Sequence, residues 1–441
     1  MSIIPSLSIP FKMVREGAPS SEPLIQEGAQ RINEKTLDLL LDLPEFSATH
    51  FKLESKGEEQ ILHLYCKHNH HFSVCPRCQR ISESVHDSKP RWVRDFNSGK
   101  WRVMLHFMSR RFDCEQCALP FTEVLASIDL HRRQTLRFEE YIYKRCLSST
   151  RKAVACEEWL DQDAVKEIFK RWAKKKLKNQ ERLMTRVLGI DEITLKKNHK
   201  QYALVISDLE RRCVLAVLPD REQESLKEWL EALSPAQRKA IKVASIDMWQ
   251  PYRAVVAAEL PHADIVADRF HVMKQLNDRL TQLRRAIQRK ADEATREILK
   301  GSRWLLVKNR NELKPDEEKR LLEVLDASPE LRTAYLLKEE FHAIFDKIND
   351  RQQAERFLNA WICKALQTGD RYLAKFVNTL HNWWKEILNY FGERITNGFV
   401  EGMNRAIRAI INRAYGYRNF LNFRLQVLAQ HGPDPPIPTF P

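Results

Sequence analysis

The spacing of apolar residues along this chain changes several times, and each change marks a different kind of structure. Between about 46 and 128 the apolar runs are short and alternating, as in Ile61–Tyr65 and Val103–Phe107, the period-two signature of half-buried strands. Residues 131–180 switch to helical spacing. Phe138–Leu147, Ser149–Leu160 with Ser149 or Thr150 as cap, and Asp161–Leu177 read as three helices. A capped short helix, a brief turn and a longer basic helix have the shape of a helix-turn-helix. A three-helix connector with a solvated basic face would show the same pattern. Glu157-Glu158-Trp159 stands where a small-residue turn is expected.

After 185 the pattern becomes that of buried strands. Val187–Ile190, Tyr202–Asp208 and Cys213–Leu218 follow in quick succession, with Leu209–Arg212 turning between the last two. A helix at Glu222–Leu233, a strand at Ile241–Asp247, a helix at Pro251–Leu260 and a strand at Ala263–Ala267 come next. Three strands in a meander followed by αβαβ is the order of an RNase H-like core. In that topology the first and fourth strands are neighbours, so Asp191 and Asp247 at their ends are expected to face each other. Glu192 follows Asp191 directly and should point to the opposite side of the strand. Asp268 ends the fifth strand, where a ligand, a supporting residue and a helix cap all remain possible readings. His271 lies three residues on, with a phosphate contact or a packed side chain as its expected role.

Residues 270–390 carry only helical, charge-rich patterning, too long for a loop inside a core and therefore an insertion. Four tryptophans lie in it, Trp304, Trp361, Trp383 and Trp384; most should be core, while an exposed ring could stack on a base. The chain then returns in Ile395–Arg408, with Asn397 as a candidate cap. On a helix, Glu401, Asn404, Arg405, Arg408 and Asn412 share one face, and Phe399, Met403, Ile407, Ile410 and Ala414 the other. A carboxylate followed by two guanidinium groups suits a metal ion with phosphate beside it; an ordinary i,i+4 Glu–Arg pair would look the same. Two aspartates and a late glutamate together are hard oxygen ligands suited to Mg²⁺ or Mn²⁺. Two such ions could serve an in-line displacement at phosphorus.

Charge sharpens this. The chain of 441 residues has a formal net charge of +14, and the excess is clustered. Residues 131–180 hold fourteen lysines and arginines against seven acids, and residues 269–310 hold twelve against four. Clustering points to a polyanionic partner. Lys166, Lys170, Arg171, Arg284, Arg285, Arg405 and Arg408 are the candidate DNA contacts. No apolar run reaches membrane-spanning length and no secretory pattern opens the chain, so a cytoplasmic protein without a membrane partner is expected.

The nine cysteines argue against a disulfide framework. Cys75-Pro-Arg-Cys78 and Cys114-Glu-Gln-Cys117 are two C-x₂-C knuckles separated by 35 residues. Together they supply the four sulfurs of one closed structural Zn²⁺ site; reduced bystander thiols or a redox pair are the competing readings.

The ordered set of stretches resembles a known family. Cys75–Cys78 with Arg110–Cys117, Gly189-Ile-Asp-Glu192, Asp247-Met-Trp-Gln-Pro-Tyr252, Ala267–Val272, Asn397–Asn404 and Ala414–Phe420 leading into Phe423-Arg424 are together similar to the ISL3 family of bacterial insertion-sequence transposases. The resemblance implies a DDE-type enzyme with a zinc-binding head and an RNase H-like core interrupted by a helical insertion. It places Asp191, Asp247 and Glu401 as the metal-binding triad, with Asp268, His271 and Asn404 as possible supports. It implies binding of terminal inverted repeats in double-stranded DNA, nicking by water, and transfer of the freed 3′-OH to target DNA by a homodimer or higher assembly. The expected organisation is multidomain α+β: a partly disordered tail (1–45), a zinc ribbon (46–128), a helix-turn-helix (129–180), the first part of the core (181–269), the insertion (270–390), the last core helix (391–430) and a C-terminal tail (431–441). A catalytically silent DNA-binding descendant and a metal-dependent RNase H-like nuclease remain the alternatives.

Overall fold

The computed structural model describes residues 38, 41–178, 183–196, 201–395 and 398–433. The expected tails and the proposed cap Asn397 fall wholly or largely outside these residues. The chain divides between Glu139 and Glu140 into two compact units, each taken by itself below.

The first unit is built on strands β1 (Phe46–Lys56), β2 (Glu59–His68), β3 (Ser73–Val74), β4 (Ile81–Ser82), β5 (Val85–Arg94), β6 (Arg102–Cys114) and β7 (Leu119–Thr122). The main sheet has the order β1-β2-β6-β5, with β7 added along β6. Its alternation buries Phe46, Leu64, Val93, Val103, Leu105 and Phe107 on one face, as period-two patterning requires. These strands are longer than the sequence runs suggested. The cross-strand row His50, Tyr65, His106 and Trp92 shows why: His50 stacks on Tyr65 with centroids 4.3 Å apart, and Tyr65 on His106 at 4.8 Å. Such pairs hold register where aliphatic residues are absent.

The second unit includes helix α1 (Leu136–Ser148) from Glu140 on, α2 (Arg151–Glu157) and α3 (Gln162–Lys178). The Thr150 side chain caps α2 by accepting from the Ala153 N–H. Trp159 makes the turn between α2 and α3 with a positive φ of 55°. A large side chain thus takes the conformation a small residue would favour.

The core sheet has the order β10-β9-β8-β11-β12, from β8 (Val187–Lys196), β9 (Gln201–Asp208), β10 (Cys213–Leu218), β11 (Val243–Ile246) and β12 (Asp264–Ala267). Strands β8, β9 and β10 form an antiparallel meander, while β11 lies parallel between β8 and β12. In this 3-2-1-4-5 order the first and fourth strands are neighbours, as expected from the element sequence. One expectation is corrected: β8 does not end at Asp191. It continues to Lys196 because β9 keeps pairing with it, Asp191 opposite Val205 and Ile193 opposite Ala203. The neighbour that stops is β11, at Ile246. Gly189 in β8 is required by close packing, since a Cβ there would lie 2.6 Å from Leu209 Cδ2.

Helices α4 (Gln223–Glu231), α5 (Pro235–Ala240) and α6 (Gln250–Glu259) belong to the crossovers of this sheet. The insertion follows as α7 (Arg269–Lys290), α8 (Glu293–Leu299), α9 (Arg303–Val307), α10 (Pro315–Asp326), α11 (Pro329–Lys347), α12 (Arg351–Gln367), α13 (Arg371–Asn382) and α14 (Trp384–Glu393). It shares one hydrophobic core with the sheet, centred on Phe341, Phe345, Trp361 and Phe376. Helices α15 (Gly398–Arg413) and α16 (Phe420–His431) close the other sheet face. Met403, Ile407 and Ile410 pack there with Phe423, Val427 and Ile193.

Candidate active site

Alternation along β8 decides what each acidic residue meets. Asp191 shares its face with Ile193, which packs against α15, and Asn404 on α15 donates from Nδ2 to Asp191 Oδ2 at 2.6 Å. Glu192 points the other way. It accepts from the Tyr252 hydroxyl at 3.0 Å and has the Arg221 guanidinium 3.8 Å away. The Arg221 guanidinium lies 4.4 Å from the Tyr202 ring centroid and 5.2 Å from that of Trp249. Nothing in the local pattern around Arg221 announced this cage, which gathers residues from three separate elements.

Ile190 of β8 pairs with Ile246 of β11, so Asp191 and Asp247 each stand one residue beyond that pair. Ligand atoms of Asp191, Asp247 and His271 all lie within 4.8 Å of one another. Asp268 caps α7 by accepting from the Phe270 N–H at 2.9 Å. The cap holds His271 one turn into the helix, where Nδ1 lies 3.0 Å from Asp268 Oδ2 and 2.6 Å from Asp247 Oδ1. Asp268-Arg-Phe-His271 carried the only sequence signal for this imidazole.

The electrostatics follow from burial and charge. Burial, then the charge of Asp247, pushes the Asp191 carboxyl up to about 7, against the opposing pull of the Glu192 N–H, His271 and Asn404. Burial alone would lower His271, but hydrogen bonds to Asp247 and Asp268 outweigh it and raise the ring to about 10. The cluster is therefore short of positive charge. Asn404 Oδ1 is also buried without a hydrogen-bond partner. Oxygen donors crowded around a charge deficit fit a hard divalent cation, so the donor set suits Mg²⁺ or Mn²⁺, with Asp191 and Asp247 as the residues that would hold it.

The raised Asp191 carboxyl has a measurable consequence in metal-free protein. The folded state keeps its proton up to about pH 7, whereas an unfolded aspartate releases it near pH 4. Stability is therefore present below about pH 4 and lost as pH rises toward 7. An Asp191→Asn variant escapes this loss. In chelator, its melting temperature should exceed wild type by about 2–5 °C at pH 8 and match it near pH 4. Equal melting at both pH values would refute the charge crowding.

Glu401 lines the same cleft as Asp191, Asp247 and His271, a space of about 1060 Å³, but it is not in the three-residue cluster. Its side chain is 55% exposed and paired with Arg405 one turn on. Arg408 lines the cleft too. Among the other expected DNA contacts, Arg285 is exposed, while Lys166 and Lys170 pair with Asp163 and Glu167 along α3; Arg171 is half-buried. Arg284 corrects the expectation for its position. It is 8% exposed and donates to the Leu299 carbonyl and to Gln288, tying α7 to α8 because a buried guanidinium must spend its donors locally.

In the first unit, Cys75, Cys78, Cys114 and Cys117 converge, with all four sulfurs within 4.8 Å of one another. Cys75 Sγ lies 4.0 Å from Cys117 Sγ, and Cys78 Sγ 3.4 Å from Cys114 Sγ. A Zn–S length of about 2.3 Å puts tetrahedral sulfurs roughly 3.8 Å apart, so the cage has the size zinc requires. Burial pushes the Cys75 thiol up, but backbone N–H groups of Cys78 and Arg77 and the neighbouring thiols prevail and bring it to about 6. The crowding of the same four sulfurs raises Cys114 and pushes Cys117 up to about 12. Without a cation the cluster holds thiols around one favoured thiolate.

Comparison with known proteins agrees with this division of labour. Residues 188–427 match a transposase family model of the ISL3 DDE type. Residues 71–117 match the zinc finger of the IS204/IS1001/IS1096/IS1165 transposases, and residues 127–173 the helix-turn-helix domain of transposase family ISL3. The transposase for insertion sequence element IS1001 of Bordetella parapertussis is 33% identical over 372 residues, covering 83% of this chain and 91% of that protein. The transposase for insertion sequence element IS1557 of Mycobacterium tuberculosis is 24% identical over 395 residues, covering 82% and 87%.

Proposed function

The chain belongs to the ISL3 family of insertion-sequence transposases, and on that premise we propose that it cuts DNA at the terminal inverted repeats of its own element and joins the freed ends to target DNA. The observation that carries this reading is the meeting of Asp191 and Asp247 where β11 stops beside β8. In the first step a water oxygen bonds to the scissile phosphorus and the P–O3′ bond breaks, with the proton passing to the departing 3′-oxygen. In the second, that 3′-OH attacks a target phosphodiester and displaces a target 3′-oxygen.

Asp191 and Asp247 would hold the divalent cation, and Glu401 completes the triad by closing toward it from α15. One or two cations held there would supply Lewis-acid stabilisation at phosphorus and a more acidic nucleophile. Asn404 fixes the Asp191 rotamer and His271 that of Asp247. A charged His271 also offsets the anionic crowding beside a phosphate. Arg405 and Arg408 bind phosphates along the cleft, while the zinc unit and α2–α3 contribute repeat recognition. Because two ends must be brought together, the working form is a dimer or larger assembly.

Incubating the full chain with Mg²⁺ and duplexes carrying the repeats that flank its gene tests the reading. Strand cleavage at the repeat end followed by strand transfer is expected. Binding without cleavage would instead make the chain a silent DNA-binding relative, and repeat-independent cutting a general nuclease.

A further inference from the structure

Aromatic side chains in the insertion range from fully buried to largely exposed. Trp361 is fully buried and Trp383 is 6% exposed, as expected of rings that build a core. Trp304 is 69% exposed, on the short helix α9, and it lines the cleft that holds Asp191 and Asp247. Phe270, 54% exposed, lines the same cleft one residue before His271. Leaving such large apolar surface open costs stability in the free protein. Neither ring is an isolated surface residue: the cleft around them carries Lys274, Arg303, Lys308, Arg405 and Arg408.

Geometry limits what these rings can bind. The Arg303 guanidinium sits 4.8 Å from the Trp304 centroid, a cation–π contact that orients the indole. Phe270 stands edge-on to the His271 ring, with an interplanar angle of 83° and a centroid distance of 5.2 Å, so it packs directly beside the carboxylate–imidazole cluster. Rings interleaved with cations are the composition of a single-strand stacking surface, where bases meet π-faces and phosphates meet guanidinium and ammonium groups. An intact duplex presents no base faces except at its terminus. Bases can reach Trp304 and Phe270 only if they leave the helix.

We propose that the cleft binds unpaired DNA bases beside the scissile phosphate, with Trp304 as the stacking residue that offsets the cost of unpairing them. This rests on the transposase reading above and adds a substrate state to it: the flanking base pair opens before the cut. Trp304 is a positioning residue, since it acts on a base and not on the reacting atoms. Phe270, next to His271, supports the opened strand where it approaches the carboxylates.

The experiment compares full-chain wild type, Trp304→Ala and Trp304→Phe in Mg²⁺. The substrates are duplexes of the element's own ends, either fully paired or mismatched at the pair next to the cut. Trp304→Ala should cleave the paired end at least about tenfold more slowly than wild type, cleave the mismatched end within about twofold of it, and leave duplex affinity unchanged. Trp304→Phe should keep most of the activity on both. The exposed position of Trp304 makes loss of folding no explanation for a defect confined to one substrate. Wild-type rates for Trp304→Ala on paired ends, or an equal defect on paired and mismatched ends, would overturn the proposal. Failure of wild type to cut either substrate would instead overturn the transposase reading on which it rests.

Discussion

Replacing Asp191 with asparagine is expected to lower strand cleavage by about a thousandfold or more while leaving DNA affinity unchanged or slightly higher. A cation bound between carboxylates contributes several kcal/mol of transition-state stabilisation, and each 1.36 kcal/mol is a factor of ten. Asparagine keeps the shape of Asp191, can still accept the Glu192 N–H, and can donate to Asn404 once that amide turns its unpartnered Oδ1 toward it, so the loss reports charge and not collapse. Affinity survives because it comes from basic groups displacing counterions from phosphates, and removing a cleft carboxylate lessens repulsion of the DNA. Asp247→Asn should behave alike, with an added sign: the His271 ring loses the charge that helps to raise it. Glu401→Gln separates two pictures of the third position. If Glu401 closes onto the cation, the variant falls as far as Asp191→Asn; if its role ends at the Arg405 pair, cleavage changes little. Gel assays for cleavage and binding on the same labelled end read both quantities. Full cleavage by Asp191→Asn would remove the carboxylate assignment.

The approach of Asp191 to Asp247 was legible in the sequence because it depends on two local rules. Strand alternation sends Asp191 and Glu192 to opposite faces, and the order of apolar runs makes β8 and β11 neighbours, so a pairing 56 positions apart follows from pattern alone. What escaped is three-body geometry. His271 joins Asp247 only because Asp268 caps α7 and sets the first turn of that helix, a consequence of one side-chain hydrogen bond with no periodic signature. The extension of β8 to Lys196 is set by its partner β9 and not by its own composition. Arg284 shows the limit of reading charge from sequence. A basic residue in a basic helix looked like a phosphate contact, yet it is buried and donates to the Leu299 carbonyl. Trp304 is the reverse case, a residue type that ordinarily builds core and here is 69% exposed, because α9 is too short to turn both of its faces inward.

Removing zinc is expected to unfold the knuckle region while leaving the strand pairing β1-β2-β6-β5 in place. The reason is the size of the local core. Around the four sulfurs, the buried apolar cluster contains only Phe112 and Phe121 besides Cys75 and Cys114, and β3 and β4 are two residues each. Two buried rings contribute only a few kcal/mol by area, which does not offset the entropy of ordering the loops that carry the cysteines. A structural Zn²⁺ contributes about 10–16 kcal/mol of apparent binding energy in small sites, enough to decide whether this region folds. The main sheet, by contrast, has its own core of Phe46, Leu64, Val93, Leu105 and Phe107. Metal analysis should find one zinc per chain, and Cys78→Ser or Cys114→Ser should abolish it. Limited proteolysis in chelator should then cut first in the knuckle segments outside β5 and β6, at residues 71–84 or 115–122. Protons compete with the metal for all four thiolates, so zinc retention should fall as the pH is lowered. A chain that binds no zinc, and whose knuckles resist protease equally with and without chelator, would show that these four cysteines are packed thiols and nothing more.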